Sequence, residues 1–229
     1  MRAPAKLTLS LQITGRRPDG LHLVDAEMVT VDLCDELVFD EGDRLEITGA
    51  TGLEVRADDD NLVRRALRAV GCTAHVQLQK RIPAGAGLGG GSADAAAVLR
   101  WAGCDDLELA ATLGSDVPFC VVGGRARVTG VGDAVEPRAP RAQVFTLLIP
   151  PFGVATADVY RVWDELGGPR SGGPNDLEVA ALQVEPRLRP WRDELAATTG
   201  LVPVLAGSGS TWFVEGAHPG DDRTVVHTL

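Results

Sequence analysis

The chain has 229 residues, 45% of them hydrophobic and 24% charged, which suits one large domain or two small ones with a real core. Its formal net charge of -10 argues against a nucleic-acid partner, because phosphate backbones are held by basic patches. Its longest apolar stretch, around residues 144–152, is broken by Thr146, Pro150 and Pro151 and is too short to span a bilayer. The N-terminal residues alternate apolar and polar and lack the apolar block of a signal peptide. Cys34, Cys72, Cys104 and Cys120 are scattered, with no CxxC pair and no His at ligand spacing, so neither a disulfide framework nor a zinc site is expected. These features predict a cytoplasmic protein.

In chain order, residues 6–13 alternate strictly, with Leu7, Leu9, Leu11 and Ile13 on one face and Lys6, Thr8, Ser10 and Gln12 on the other. Residues 15–20, carrying Gly, Pro and Asp, form a turn. A second alternating strand covers 27–33, and shorter strands are predicted at 45–47 and 53–55. Asp59, Asp60 and Asn61 supply capping side chains for a helix from Leu62 to about Val70. Residues 75–80 alternate again. A glycine-rich segment follows, and Ser92 opens an alanine-rich helix to about Gly103. A short helix covers 107–113, and 117–122 reads as a strand or buried segment. Beyond the Pro- and Arg-rich stretch 139–142 come a strand at 144–149, helices near 157–166, 175–181 and 190–198, and a hairpin over 201–214. The polar tail from Gly216 is expected to be poorly ordered. Strands and helices mix without regular βαβ alternation, which predicts an α+β fold in two lobes, 1–142 and 143–229.

Five glycines lie within seven residues of the segment Pro83, Ala84, Gly85, Ala86, Gly87, Leu88, Gly89, Gly90, Gly91, Ser92 and Ala93. Glycine lets the backbone approach a ligand closely, and the unpaired N–H groups of the following helix then meet an anion. An acidic protein can build a phosphate site this way without net positive charge. A ligand-free connector is the alternative, although connectors rarely lead straight into a helix. Gly85, Gly87 and Gly90 satisfy G-x-G-x-x-G, but the segment does not follow the first strand of a parallel sheet, as a dinucleotide site requires. No Lys follows it, which removes a Walker A loop, and the H-R-D and D-F-G segments of protein kinases are absent.

The remaining pattern, P-x-x-x-G-L-G-x-x-S opening a helix, resembles the second motif of the GHMP kinases. The resemblance continues in the segments 4–9, 14–22, 113–119, 130–132, 175–178 and 205–210, which stand in the order found in the 4-diphosphocytidyl-2-C-methyl-D-erythritol kinases. It implies a fold with an N-terminal lobe like ribosomal protein S5 domain 2 and a ferredoxin-like C-terminal lobe, here shortened. It also implies ATP-dependent phosphorylation of the 2-hydroxyl of the cytidylyl alcohol in isoprenoid precursor synthesis.

By that resemblance Lys6 and Asp116 are the catalytic pair, residues 83–93 hold ATP, and Thr8, His22, Tyr160, Gly207, Ser208 and Gly209 face the substrate. Mg²⁺ is expected on the phosphates and water, touching Ser92, with no protein-built metal site. The partners are then a small molecule and ATP, with no nucleic acid or membrane, and the chain is a monomer or a weak homodimer. Thr8 stands where the family usually has Asn, and Leu21 replaces the aromatic that stacks on cytosine. A GHMP kinase for another alcohol and a catalytically silent binding homologue therefore stay open. Among 22 basic residues only Lys6 and Lys80 are lysines, which singles both out.

Overall fold

Residues 1–49, 52–170 and 172–229 are described by a computed structural model of the chain. The alternating N-terminal segments form longer strands than their cleanest alternation predicts. Strand β1 (Arg2–Arg16) and strand β2 (His22–Asp40) make an antiparallel hairpin, in register from Arg2 opposite Glu36 to Arg16 opposite His22. Register shifts after Pro4, Thr8 and Ile13 twist the pair. Lys6 and Thr8 lie on the polar face of β1 and yet are only 5% and 1% exposed, because that face is roofed by the glycine segment rather than by water.

Strand β3 (Arg44–Thr48), helix α1 (Leu62–Ala69) and strand β4 (His75–Gln79) form a βαβ unit with β3 parallel to β4. Asn61 caps α1 by accepting from the Val63 N–H at 2.9 Å. Helix α2 (Gly90–Trp101) begins two residues before Ser92, and helix α3 (Leu107–Leu113) is capped by Asp106. Residues 117–122, expected as strand or buried segment, form helix α4 (Val117–Val122). Pro118 sits in its first turn, where its missing N–H costs nothing. Strands β5 (Arg125–Gly130) and β6 (Ala134–Pro137) were not predicted, although Ala126 and Val128 carry the period of two. The predicted strand at 53–55 is loop, preceded by an isolated bridge between Gly52 and Ala84.

The first sheet runs β3-β4-β2-β5-β6, with β1 on the other edge of β2. The four helices α1 to α4 cover one face, around Leu37, Leu78, Ala96, Leu99 and Phe119.

Strand β7 (Val144–Leu148) starts the second sheet. Helices α5 (Thr156–Glu165), α6 (Glu178–Val184) and α7 (Leu188–Thr199) follow, then strands β8 (Val204–Leu205), β9 (Trp212–Glu215) and β10 (Arg223–His227). The order is β10-β7-β9-β8, all antiparallel. The tail is thus not loose, because Thr224, Val225 and Val226 pair with β7 through backbone bonds that its composition does not announce.

A third apolar cluster joins the sheets. Ala5, Leu7, Val29 and Val31 meet Phe145, Leu147, Phe213 and Val226, with Ala86, Leu88 and Ala206 among them. Two backbone loops, the glycine segment and residues 206–210, lie over this shared core. The molecule is α+β, and a cavity opens at that junction.

Candidate active site

The cavity has a volume of about 820 Å³ and is lined by residues 83–92, Lys6, His22, Asp116, Tyr160, Gly207 and Ser208 among others. Most residues singled out from the sequence therefore share one space. Thr8, Ala93 and Gly209 stand behind its wall: Thr8 bonds Lys6, Ala93 is fully buried in α2, and the Gly209 carbonyl abuts Gly87.

At one end the wall is main chain. Asp35 accepts from the N–H groups of Arg81 and Ile82 at 2.5 and 2.8 Å and fixes where the glycine segment leaves β4. Further along, Ser210 N donates to Gly85 O and Thr211 N to Ala86 O, each at 3.2 Å, so the segment is stitched to residues 206–211. Gly87 has φ +76°, and a Cβ there would lie 2.1 Å from the Ala206 carbonyl oxygen. No other residue fits without moving one backbone. Gly89, with φ +68°, is the N-cap of α2 and supplies no capping side chain. By helix geometry the first N–H groups of α2 lack intrahelical partners, and nothing from the cap side chain fills that role. These donors, at the positive end of the helix dipole and facing the cavity, fit a phosphate. Asn175, buried between β1 and the second loop, donates to Leu205 O and Gly207 O at 2.8 and 2.7 Å and so holds residues 205–207 in place.

Lys6 crosses beneath this roof. Its N–H donates to Leu88 O at 3.1 Å, and its side chain passes under Gly89, where a Cβ would fall 2.7 Å from Lys6 Cγ. Its Nζ donates to Thr8 Oγ1 at 3.0 Å and lies 3.3 Å from Asp116 Oδ2. Asp116 precedes α4 and, with its side chain 29% exposed, presents its carboxylate to the cavity. One turn on, burial pushes the Cys120 thiol up to about 12, with the Asp116 charge adding to the rise, so this sulfur is inert at neutral pH.

Lys80, the second lysine, stands out in the sequence only by its rarity. It is 4% exposed by side chain and donates to Asp35 and, at 2.7 Å, to Asp94 Oδ2. Its Nζ lies 3.1 Å from where a Cβ on Gly90 would stand, directly under the start of α2. Burial opposes the lysine charge, but the two carboxylates outweigh it and raise the Lys80 pKa. Burial likewise pushes the Asp94 carboxyl up to about 7 against the pull of Lys80, and Asp35 adds to the rise. Asp94 is 3% exposed and its Oδ1 has no hydrogen-bond partner among the described residues. Asp35 and Asp94 lie in β2 and α2, and no spacing in the sequence announces that they meet at Lys80.

At the other end the wall is side chain. His22, at the start of β2, has its ring 4.7 Å from that of Tyr160 at a tilt of 32°, and 5.5 Å from Trp163 edge-on. Its Nε2 is 2.8 Å from Asp164 Oδ1, and Arg16 Nη1 is 3.3 Å from Asp164 Oδ2. Burial pushes the Tyr160 hydroxyl pKa up, with Asp116 contributing, so the phenol stays protonated. Leu21, next to His22, is 52% exposed on its loop. Thr156 Oγ1 and Ser208 Oγ, 2.8 Å apart, tie the start of α5 to the second glycine loop. Among the described residues no three Asp, Glu, His or Cys side chains group to hold a metal ion, and no helix is long and apolar enough to cross a membrane.

Residues 61–124 match the model of the GHMP kinase N-terminal domain. The 4-diphosphocytidyl-2-C-methyl-D-erythritol kinase of Cereibacter sphaeroides is 36% identical over 92% of this chain and 87% of its own length. The same enzyme of Pelotomaculum thermopropionicum is 37% identical over 92% and 86%. A crystal structure of 4-(cytidine 5'-diphospho)-2C-methyl-D-erythritol kinase superposes with a TM-score of 0.77 at 31% identity, covering 100% of this chain and 99% of that one. A putative homoserine kinase from Listeria monocytogenes, 15% identical with a TM-score of 0.62, shares the fold.

Proposed function

Because the chain belongs to the 4-diphosphocytidyl-2-C-methyl-D-erythritol kinase family of the GHMP kinases, we propose that it transfers the γ-phosphoryl group of ATP to the 2-hydroxyl of 4-diphosphocytidyl-2-C-methyl-D-erythritol. The observation that carries this reading is the Lys6–Asp116 pair, 3.3 Å apart, in the same cavity as the uncapped start of α2 and the His22–Tyr160 ring pair. The main-chain end receives the triphosphate; Mg²⁺ would be held chiefly by phosphate oxygens and water, with Ser92 the cavity-lining residue that would contact it, and would supply charge neutralisation. The ring pair receives the cytosine. Residues 1–142 and 143–229 act as two lobes that meet across this cavity.

Phosphoryl transfer asks the protein for position and charge stabilisation more than for covalent chemistry. Asp116 takes the proton of the attacking hydroxyl as the new P–O bond forms and the bond to the departing ADP breaks. Lys6, held by Thr8 and Leu88, keeps that carboxylate in place and offsets negative charge gathering on the transferred group. Asp94 and Lys80 lie beneath the start of α2 and support the loop from inside.

The exposed Leu21, standing where the family carries an aromatic, favours a second reading: a GHMP kinase for a different alcohol. ADP release with Mg-ATP and a panel of cytidylyl and plain alcohols separates the two. Turnover confined to cytidylyl alcohols supports the first, and turnover confined to alcohols without that group sinks it. Saturable ATP binding with no turnover on any alcohol would mark a silent homologue.

A further inference from the structure

The contacts of His22 are asymmetric. Its Nε2 is paired with Asp164 at 2.8 Å, whereas Nδ1 has no hydrogen-bond partner among the described residues. The ring rests against two aromatic side chains of α5, Tyr160 at a tilt and Trp163 edge-on, and its side chain is 11% exposed. Trp163 is itself held, donating Nε1–H to Pro169 O at 3.0 Å. Asp164 is held in turn by Arg16, whose Nε donates to Gly20 O at 3.1 Å, so the loop between the first two strands is fastened to α5. His22, Asp164 and Arg16 all line the cavity.

A carboxylate can only accept, so the hydrogen between His22 and Asp164 belongs to Nε2. In the neutral ring the partner of one nitrogen fixes the role of the other, and Nδ1 is then an acceptor. We propose that Asp164 is a positioning residue that fixes the His22 tautomer and thereby sets preference for a pyrimidine bearing an amino group over one bearing a carbonyl at the same place. The inference rests on the reading that the ring pair receives the substrate base. An Nδ1 acceptor meets the N–H donor of a cytosine amino group and faces the oxygen of a uracil lone pair to lone pair. A site built to hydrogen-bond a donor rejects its opposite strongly, because buried polar groups are left unpaired. The proposal assigns Asp164 no contact with the reacting atoms.

The test compares cytidylyl and uridylyl forms of the alcohol as substrates of the wild-type chain and of Asp164→Ala, Asp164→Asn and His22→Gln. Wild type is expected to favour the cytidylyl form at least about tenfold in kcat/KM. Asp164→Ala raises the cytidylyl KM roughly tenfold and brings the ratio towards one, while kcat and the ATP KM stay within about twofold. Asp164→Asn keeps the shape of the side chain but carries an amide that donates as well as accepts, so it no longer fixes the tautomer and lowers the preference too, a loss that packing alone would not give. ¹⁵N NMR of His22, assigned by its absence in His22→Gln, reports a protonated Nε2 and a bare Nδ1 in wild type and a mixture in Asp164→Ala. An unchanged ratio in Asp164→Ala alongside a raised KM in His22→Gln overturns the role of Asp164 alone, whereas a wild-type preference for the uridylyl form overturns the inference together with the cytidylyl reading of the site. An unchanged cytidylyl KM in His22→Gln overturns the placement of the base, and this inference with it.

Discussion

The glycine end of the cavity presents main chain, whereas the aromatic end presents side chains drawn from two strands and a helix. At the first, position is set by what the backbone can do: Gly87 has positive φ and no room for a Cβ, and the start of α2 is left without a side-chain cap. At the second, position is set by a relay of contacts, from Arg16 to Asp164 to His22, with Tyr160 and Trp163 as walls. Backbone donors suit any phosphate and carry little information about what bears it. Side chains at fixed nitrogens and ring faces can discriminate. Between the ends lies the Lys6–Asp116 pair, which belongs to neither.

The largest effect is expected there. Asp116→Asn should lower kcat roughly 10²–10⁴-fold, the usual worth of a positioned proton acceptor, and leave the Kd of Mg-ATP nearly unchanged. Stopped-flow ADP release together with calorimetric ATP binding checks both halves, and a variant that remains active removes Asp116 from the mechanism.

Gly87→Ala strikes the glycine end alone. The positive φ and the 2.1 Å approach to Ala206 O should cost about 1–3 kcal/mol, lowering Tm by roughly 2–4 °C per kcal/mol and weakening ATP more than the cytidylyl substrate. Equal losses of both ligands would erase the distinction between the ends. Tyr160→Ala is the converse. Loss of a stacking face should weaken the cytidylyl substrate by about 1–3 kcal/mol and leave ATP affinity unchanged in a direct titration.

The smallest effect concerns what lies under the glycine end. Asp94 binds its proton more tightly folded, at about 7, than unfolded, near the usual carboxylate value of 3.8. The folded state therefore carries the extra proton between about pH 4 and 7, and stability falls as pH rises through that window. Asp94→Asn should flatten this slope, a difference of about 1 kcal/mol between pH 6 and 7 in urea titrations. An unchanged slope in the variant would show that Asp94 titrates as an ordinary carboxylate.

The same contrast explains what was legible in the sequence. The glycine segment, α1, α3 and the first two strands are local: glycine spacing, the Asn61 and Asp106 caps and alternation of period two spell them directly. Residues 117–122 misled because a Val-Pro-Phe-Cys-Val-Val run satisfies strand propensity, while Pro118 in the first turn and burial against α2 make it a helix. The last strand was hidden by polar neighbours, since its pairing with β7 is a long-range backbone event. Lys6, His22, Tyr160 and Asp116 were found through family resemblance. Asp164, Asn175 and the Asp35–Lys80–Asp94 cluster gained no role, because each acts by meeting a residue remote in sequence. The rarity of lysine points to Lys80 and the resemblance segment 175–178 to Asn175, but neither signal carries a role.

The most direct measurement is ³¹P NMR of the product made by the wild-type chain from Mg-ATP and 4-diphosphocytidyl-2-C-methyl-D-erythritol. A new phosphomonoester on the 2-oxygen, formed one for one with ADP and with the diphosphate bridge intact, is the expected result. ADP formed without that ester, or an ester formed only on an alcohol lacking the cytidylyl group, would contradict the proposed function.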